Sequence, residues 1–435
     1  MPVSLNTVSA LFGDTAPHGL KELRNKTFMD GTSTPASGII NLNTFEDRFI
    51  QTGNSINGVT GGGASTGERL GWSIAMSSNG SRVAVGSRDH SQYIGIVRVY
   101  DYSNNQWTQV GSDINGQFTQ DDFGYSIAMT SDGSRIVVGA PSEKLGLSGK
   151  GCARVYDYSN NQWTQVGSDI DGTNNGDHSG KTVAISSDGT RVAIGSPRYA
   201  NGGTRGQVQV FNYVNSQWTQ LGGDMNGRGT SSQAGEALAM TPDGSRIIIG
   251  APRDPGNIRG YVQVYEYIGA VWTQIGSDID GVSNYEFLGR SVAISSSGSR
   301  IAVGSIKNSG RIRVYDYINS EWIQIGGDIL PEVGGTSASV AIAMTPDGSR
   351  IIAGDPYDDP TGTYSDTLSA PGRARVYEYD GAAWNQVGAI IEAVAAVGGM
   401  TGFSVAISSD GSRFALGAPG HDNYYGQFRV CNQVE

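Results

Sequence analysis

The 435-residue chain carries 30 Lys and Arg against 41 Asp and Glu, a net charge of −11, with 64 Gly and only 16% charged residues. So much Gly marks a chain of turns, poor in the Glu, Lys and Ala that build helices, and predicts an all-β protein. Acidity excludes a nucleic-acid surface as the default, two cysteines exclude a disulfide framework or a cysteine-built zinc site, and no stretch approaches the roughly 20 apolar residues that span a bilayer.

The first 48 residues differ in kind from the rest. Met1 to Thr7 has neither a basic n-region nor an apolar h-region, so no secretory signal is read and synthesis in the cytoplasm is expected. Residues 18–26 have the composition of one or two helical turns, and residues 30–38 are a turn-rich linker. The segment is too short and too polar to hold a core, and it is taken as a leader that anchors the domain of residues 49–435.

From residue 49 onward one unit recurs. Its clearest copy runs Ser126-Ile127-Ala128-Met129-Thr130-Ser131-Asp132-Gly133-Ser134-Arg135-Ile136-Val137-Val138-Gly139, then Ala153-Arg154-Val155-Tyr156, then Trp163-Thr164-Gln165-Val166. The first part occurs seven times, marked by Arg82, Arg135, Arg191, Arg246, Arg300, Arg350 and Arg413, and the Trp strand six times, at Trp107, Trp163, Trp218, Trp272, Trp322 and Trp384. Each unit reads as four short antiparallel strands. Asp132-Gly133 and its counterparts at Asp188, Asp243, Asp347 and Asp410 are hairpin turns, because Gly accepts positive φ, and Tyr158-Ser159-Asn160-Asn161-Gln162 is a second turn. Seven such units predict a seven-bladed β-propeller, with a linear β-solenoid as the alternative.

The chain ends favour the ring. The seventh unit stops after its third strand at Phe428-Arg429-Val430-Cys431, and its missing piece lies at the front, where Phe49-Ile50-Gln51-Thr52-Gly53-Asn54-Ser55-Ile56-Asn57-Gly58 aligns without gaps on Trp107 to Gly116. An N-terminal strand completing the last blade removes two open sheet edges. A solenoid has no use for a split unit.

The repeat divides the loops into two sets. One face carries the uniform Ser-Asp-Gly-Ser and Tyr-Ser-Asn-Asn turns; the other carries connections that vary, including residues 88–95, 115–124, 171–180, 280–289 and 355–372. Function sits on variable loops held by a rigid scaffold, so the candidate binding residues are Asp89, His90, Tyr93, Asp121, Asp122, Asp177, His178, Tyr285, Tyr357, Asp358, Asp359, Asp422, Tyr424 and Tyr425. His90, His178 and His421 belong to different blades and are read as surface residues without a metal. The seven marker arginines are read as structural ion pairs with either Asp101, Asp157, Asp316 and Glu378 or Asp113, Asp169, Asp278 and Asp328. The Trp series is read as packing.

Two resemblances add to this reading. Phe123-Gly124 followed by Gly139-Ala140-Pro141 resembles the FG-GAP repeat of integrin α-chain propellers over residues 49–435, although blade 5 departs from it at Gly304-Ser305-Ile306. Integrin-type repeats bind Ca²⁺ through Asp-x-Asp-x-Asp-Gly; here Thr130-Ser131-Asp132-Gly133 offers one carboxylate and blade 5 has Ser297, so no calcium site and no cofactor are expected. The leader, with Gly19-Leu20-Lys21-Glu22-Leu23-Arg24, Phe28-Met29-Asp30-Gly31 and Pro35-Ala36-Ser37-Gly38-Ile39-Ile40-Asn41-Leu42-Asn43-Thr44-Phe45, resembles leaders on virion proteins of large algal viruses and marine phages.

No positioned nucleophile is read in the repeats, so no enzymatic activity is expected. The functional expectation is a virion-associated structural protein, a capsid, fibre or tail component, made in the host cytoplasm. It would meet other virion proteins through its leader and a host glycan or surface protein through its varied face, without nucleic acid or membrane insertion. The alternative is a free or cell-surface FG-GAP adhesin or lectin.

Overall fold

The computed structural model describes residues 48–59, 67–142, 149–199, 205–253, 258–306, 310–330, 341–358, 370–392 and 398–434. Seven antiparallel sheets follow one another along the chain. In blade 2 the four strands are Ser126–Met129, Arg135–Ala140, Cys152–Ser159 and Gln162–Gln165. The others repeat this order within residues 73–109 (blade 1), 182–220 (blade 3), 237–274 (blade 4), 291–329 (blade 5), 341–392 (blade 6) and 404–434 (blade 7). The first strand of every blade lies against the first strands on either side, and Ser404–Ile407 meets Ser73–Met76, so the ring closes. The outermost strand of blade 7 is Arg48–Gln51, paired antiparallel with Gln427–Val434 in the register Phe49↔Gln433. The expected seven-bladed propeller is the fold, and the leader lies outside the described residues except for the backbone of Arg48.

Strand patterning follows from blades stacked face to face. In blade 2, Ile136 and Val138 pack toward blade 1 while Val137 packs toward blade 3. Both sides of the second strand are therefore dry, and it reads as an apolar run in place of the alternation of a half-exposed sheet. Seven core clusters fill the seven gaps between blades, with the cluster of Leu70, Val83, Tyr100, Phe428 and Val430 sealing blade 7 against blade 1. Cys152 and Cys431 are both free and buried, in different gaps.

One detail goes beyond the four-strand reading. Beyond the Trp strand the chain turns at a positive-φ glycine, such as Gly111, and forms a two-residue fifth strand, Ile114–Asn115 in blade 1, against the start of the third strand. A Cβ on Gly111 would lie 2.7 Å from Cδ1 of Trp163 in the next blade, so close approach of the indole also requires glycine there. In blades 5 and 6 the outer strand instead runs on across a bulge, as Glu321–Ile329 and Trp384–Glu392.

The marker arginines join blade to blade. Arg82 pairs with Asp101 of its own blade at 2.6 Å, and the same bond is made by Arg135 with Asp157, Arg246 with Glu266, Arg300 with Asp316 and Arg350 with Glu378. Each then reaches forward. Nη1 of Arg82 donates to the carbonyl of Gly133 in blade 2, and the series continues through Gly189, Gly244, Gly298, Gly348 and Gly411 until Arg413 donates to Gly80. Six of the seven guanidinium groups also lie over a tyrosine of the following blade, Arg82 over Tyr158 at 4.6 Å; Arg350 meets Gln433 instead. The indoles add bonds in the opposite direction, from Trp163 to the carbonyl of Val110 and from Trp107 to that of Thr52 in the N-terminal segment.

Two outcomes test this account. Arg300→Ala leaves Asp316 and the Gly348 carbonyl without their donor and is expected to lower stability by about 2–3 kcal/mol in denaturant unfolding. A chain starting at residue 41 keeps the outer strand of blade 7, whereas one starting at residue 59 loses it; only the second is expected to melt earlier and self-associate, seen by calorimetry and light scattering.

Candidate functional site

The uniform face is closed by its own side chains. In the first hairpin of blade 2, Oδ1 of Asp132 accepts the Ser134 N–H at 2.9 Å and the Thr130 hydroxyl at 2.7 Å. Burial alone would raise its carboxyl pKa, but these bonds outweigh it and hold the group below the ordinary Asp range, as they do at Asp188, Asp243, Asp347 and Asp410. Neighbouring turns are joined, Ser78 N–H to the Ser131 carbonyl and Ser409 N–H to that of Ser78. The outer turns have positive φ at both central residues, 51° and 60° at Asn160 and Asn161.

On the varied face six inter-blade loops bridge in parallel to the loop between second and third strands among the described residues, Gly95 to Phe123 and Gly151 to Ser179 among them. The sequence-derived candidates fall into two groups here. Tyr93 and Tyr285, at 41% and 64% exposure, and Asp422 stand in solvent; His90, Asp122, Tyr357, Tyr424 and Tyr425 are half-buried. Asp89, Asp121, Asp177, His178 and Asp358 are buried, and Asp359 lies outside the described residues. Burial therefore takes five of the candidates largely out of contact with solvent.

The buried acids do structural work that the sequence reading missed. A second arginine series sits in the third strands. Arg98 contacts Glu68 at 2.8 Å and Asp113 at 3.2 Å, Arg313 contacts Glu286 at 2.8 Å and Asp328 at 3.3 Å, and Arg375 contacts Asp358 at 2.8 Å. Fully buried Arg154 lies between Asp121 and Asp169. The same acids shape their loops: Asp121 accepts the N–H groups of Gln117 and Phe118, Glu286 those of Val282 and Ser283, and Asp177 that of Asn174. Burial would raise the Glu68 carboxyl, but His90 and Arg98 hold it below its usual range. The two alternatives for the arginine partners thus resolve: Asp101, Asp157, Asp316 and Glu378 serve the marker series, while Asp113, Asp169 and Asp328 serve the third-strand series. Asp278 binds Arg228, with Gln263 standing where blade 4 lacks the arginine. The available signal was an arginine flanked by β-branched residues in Val97-Arg98-Val99, which only burial on both sides explains.

At the centre of this face the ring opens into a cavity of about 500 Å³. Its lining includes Arg88, Lys181, Arg198, Arg253 and Arg290 against Asp122 and Glu236, together with His178, Gln233 and Phe287. Lys181 and Arg290 share Glu236, at 3.9 and 2.5 Å. Arg88 lies 3.8 Å from the Trp72 ring centre and 2.9 Å from Asp89. Burial raises the Asp122 carboxyl, with the Arg88 charge and the Ser142 hydroxyl opposing. Of these residues the sequence reading had picked only Asp122 and His178. Lys181 and Arg290 directly follow the Phe-Gly-type glycine, Arg198 and Arg253 directly follow the Gly-Ala-Pro-type proline, and Arg88 stands in place of that proline; these positions meet only once the ring is closed.

One group of ligand-type atoms stands elsewhere among the described residues, Cys152, Asp169 and Asp171, within 4.8 Å of one another; Nε of Arg154 already bonds Asp169 at 3.0 Å. Compared with known proteins, the chain matches no family model and no curated sequence significantly. The likeness to FG-GAP repeats therefore rests on its short motifs.

Asp355 gives this face a pH response. Burial, then the neighbouring Asp358 carboxylate, pushes its pKa up to about 7, with the Tyr357 N–H bonded to the carboxyl and Arg375 opposing. The folded protein holds this proton more tightly than the unfolded chain does, so stability declines as pH rises from about 4 to about 7 and stays lower above. Asp355→Asn keeps the acceptor and is expected to raise stability at pH 8 by about 2 kcal/mol or more while changing little at pH 4, in melts across that range. Asp358→Lys, which puts a second buried cation beside Arg375, is expected to cost about 3–5 kcal/mol in the same melts.

Proposed function

We propose that the protein is a non-catalytic recognition module carried on a virus particle, its propeller presenting the varied face to a partner. The observation behind this reading is the contrast between the faces: one repeats the same self-bonded turns around the ring, the other combines differing loops with an open, charged mouth. Rigid rings with one variable end suit binding, because the loops are held at fixed separations. The virion assignment draws on the leader's resemblance to virion leaders, and the FG-GAP resemblance of the blades favours adhesion as the second reading, a free or cell-surface lectin-like protein. In both, the propeller binds a surface protein or glycan.

Mass spectrometry of purified particles from the source is the discriminating measurement. The protein is expected at structural copy number, and a chain starting at residue 41 is expected to be left out of particles while keeping its fold. Recovery only from the cell surface or medium would favour the adhesin; incorporation of the leaderless chain would remove the role given to the leader.

A further inference from the structure

The central mouth has the chemistry of a specific seat. Five cations and two carboxylates face about 500 Å³ in a protein whose net charge is −11, so the positive field there is local and opposes the molecule's overall sign. Glu236 is taken up by Lys181 and Arg290, and Arg88 by Asp89. Arg198 and Arg253, from adjacent blades, are exposed and have no ion-pair partner among the described residues. Two planar guanidinium forks lining one cavity are suited to carboxylates, which such groups grip through paired N–H bonds.

A second observation concerns the residues that carry the lining. Arg69, Asp122, His178, Gln233, Phe287 and Met400 hold equivalent places two residues before the Phe-Gly-type glycine, and all six have left-handed φ between 54° and 56°. That conformation favours glycine and costs other residues about 1 kcal/mol or more each. The backbone repeats, yet the six side chains all differ, and Asp122, His178, Gln233 and Phe287 line the mouth. The position holds the backbone constant and varies what is shown to a ligand.

The rest of the lining narrows the ligand. Pro141, Pro197, Pro252, Ile306 and Phe287 supply an apolar wall between the cations, and a proline has no N–H to donate. Of the neutral donors in the lining, Ser142 gives its hydroxyl proton to Asp122 and the Tyr125 hydroxyl is held by Lys181, so sugar hydroxyls would depend on His178 and Gln233, whereas an apolar side chain flanked by carboxylates finds both of its surfaces matched. We propose that the mouth binds an acidic, partly apolar peptide segment of a partner protein, its carboxylates on Arg198 and Arg253 and an apolar side chain against the proline wall. This deepens the recognition reading, since it assigns the seat on the varied face and the class of partner.

The test uses purified full-length protein, so that it does not depend on where the protein resides. Fluorescence anisotropy would follow a labelled short peptide alternating Asp and Glu with Leu, its Asn and Gln counterpart, and competition by sialyllactose and by inorganic phosphate. The acidic peptide is expected to bind, the amide peptide to bind at least about tenfold more weakly, and rising salt to weaken the complex. Arg198→Ala with Arg253→Ala should cost at least about tenfold in affinity with a nearly unchanged melting temperature, because both side chains are exposed and make no ion pair among the described residues, Arg253 only overlying Phe287 at 5.9 Å. Arg205→Ala with Arg259→Ala removes equal charge from exposed loop sites outside the mouth and should change affinity by no more than about twofold. No binding, equal binding of the two peptides, indifference to the mouth substitutions, or competition by sialyllactose or phosphate at concentrations matching the peptide's would each overturn the proposal. Particle location, tested separately, is untouched by any of these results.

Discussion

A closed ring of arginine bonds is the constraint on which the rest of the molecule depends. Each marker arginine ends on a glycine carbonyl of the next blade, seven times over, returning from Arg413 to Gly80, and all but Arg191 are also held within their blade by a side chain of the third strand. The apolar gaps between blades supply the larger part of the attraction. Hydrophobic contact is non-directional, however, and would tolerate sliding of one blade over another. The arginine bonds set the stagger, and the indole bonds running the other way limit tilt.

Because the stagger is set on the uniform face, the opposite face can vary. Its loops need internal support, which comes from the third-strand arginines and their buried acids. Burying a cation such as Arg154 at zero exposure is tolerable only with carboxylates beside it, and the same carboxylates gather the N–H groups of the loop above. Acidic residues that look available on paper are consumed in this way. What is left for a partner is the exposed tyrosines of the rim and, at the axis, cations whose guanidinium groups are not all occupied.

The two arginine series show why equal residue types at equal spacing do different things. Arg135 begins a strand, half-exposed at its end, and can reach forward to the next blade; Arg154 sits mid-strand between Ala153 and Val155 with blades on both sides. The distinction lies in depth, and depth is a property of the stacked ring. The cluster of Arg69, Trp72, Arg88 and Tyr424 is of the same kind: residues from the two ends of the repeat array are neighbours only because blade 7 abuts blade 1.

The sequence by itself determined the repeat, the number of blades, the hairpin turns and the split blade, since these depend on local periodicity, on glycine and asparagine at positive φ, and on a unit missing from one end and present at the other. It also separated a uniform loop set from a varied one. Tertiary structure alone decided which acids are buried, which arginine serves which acid, and that Lys181, Arg198, Arg253 and Arg290 share one mouth. The physical reason is that burial and convergence are set by blade-against-blade packing around an axis. Residues about fifty positions apart become neighbours there, and nothing in their immediate sequence records it.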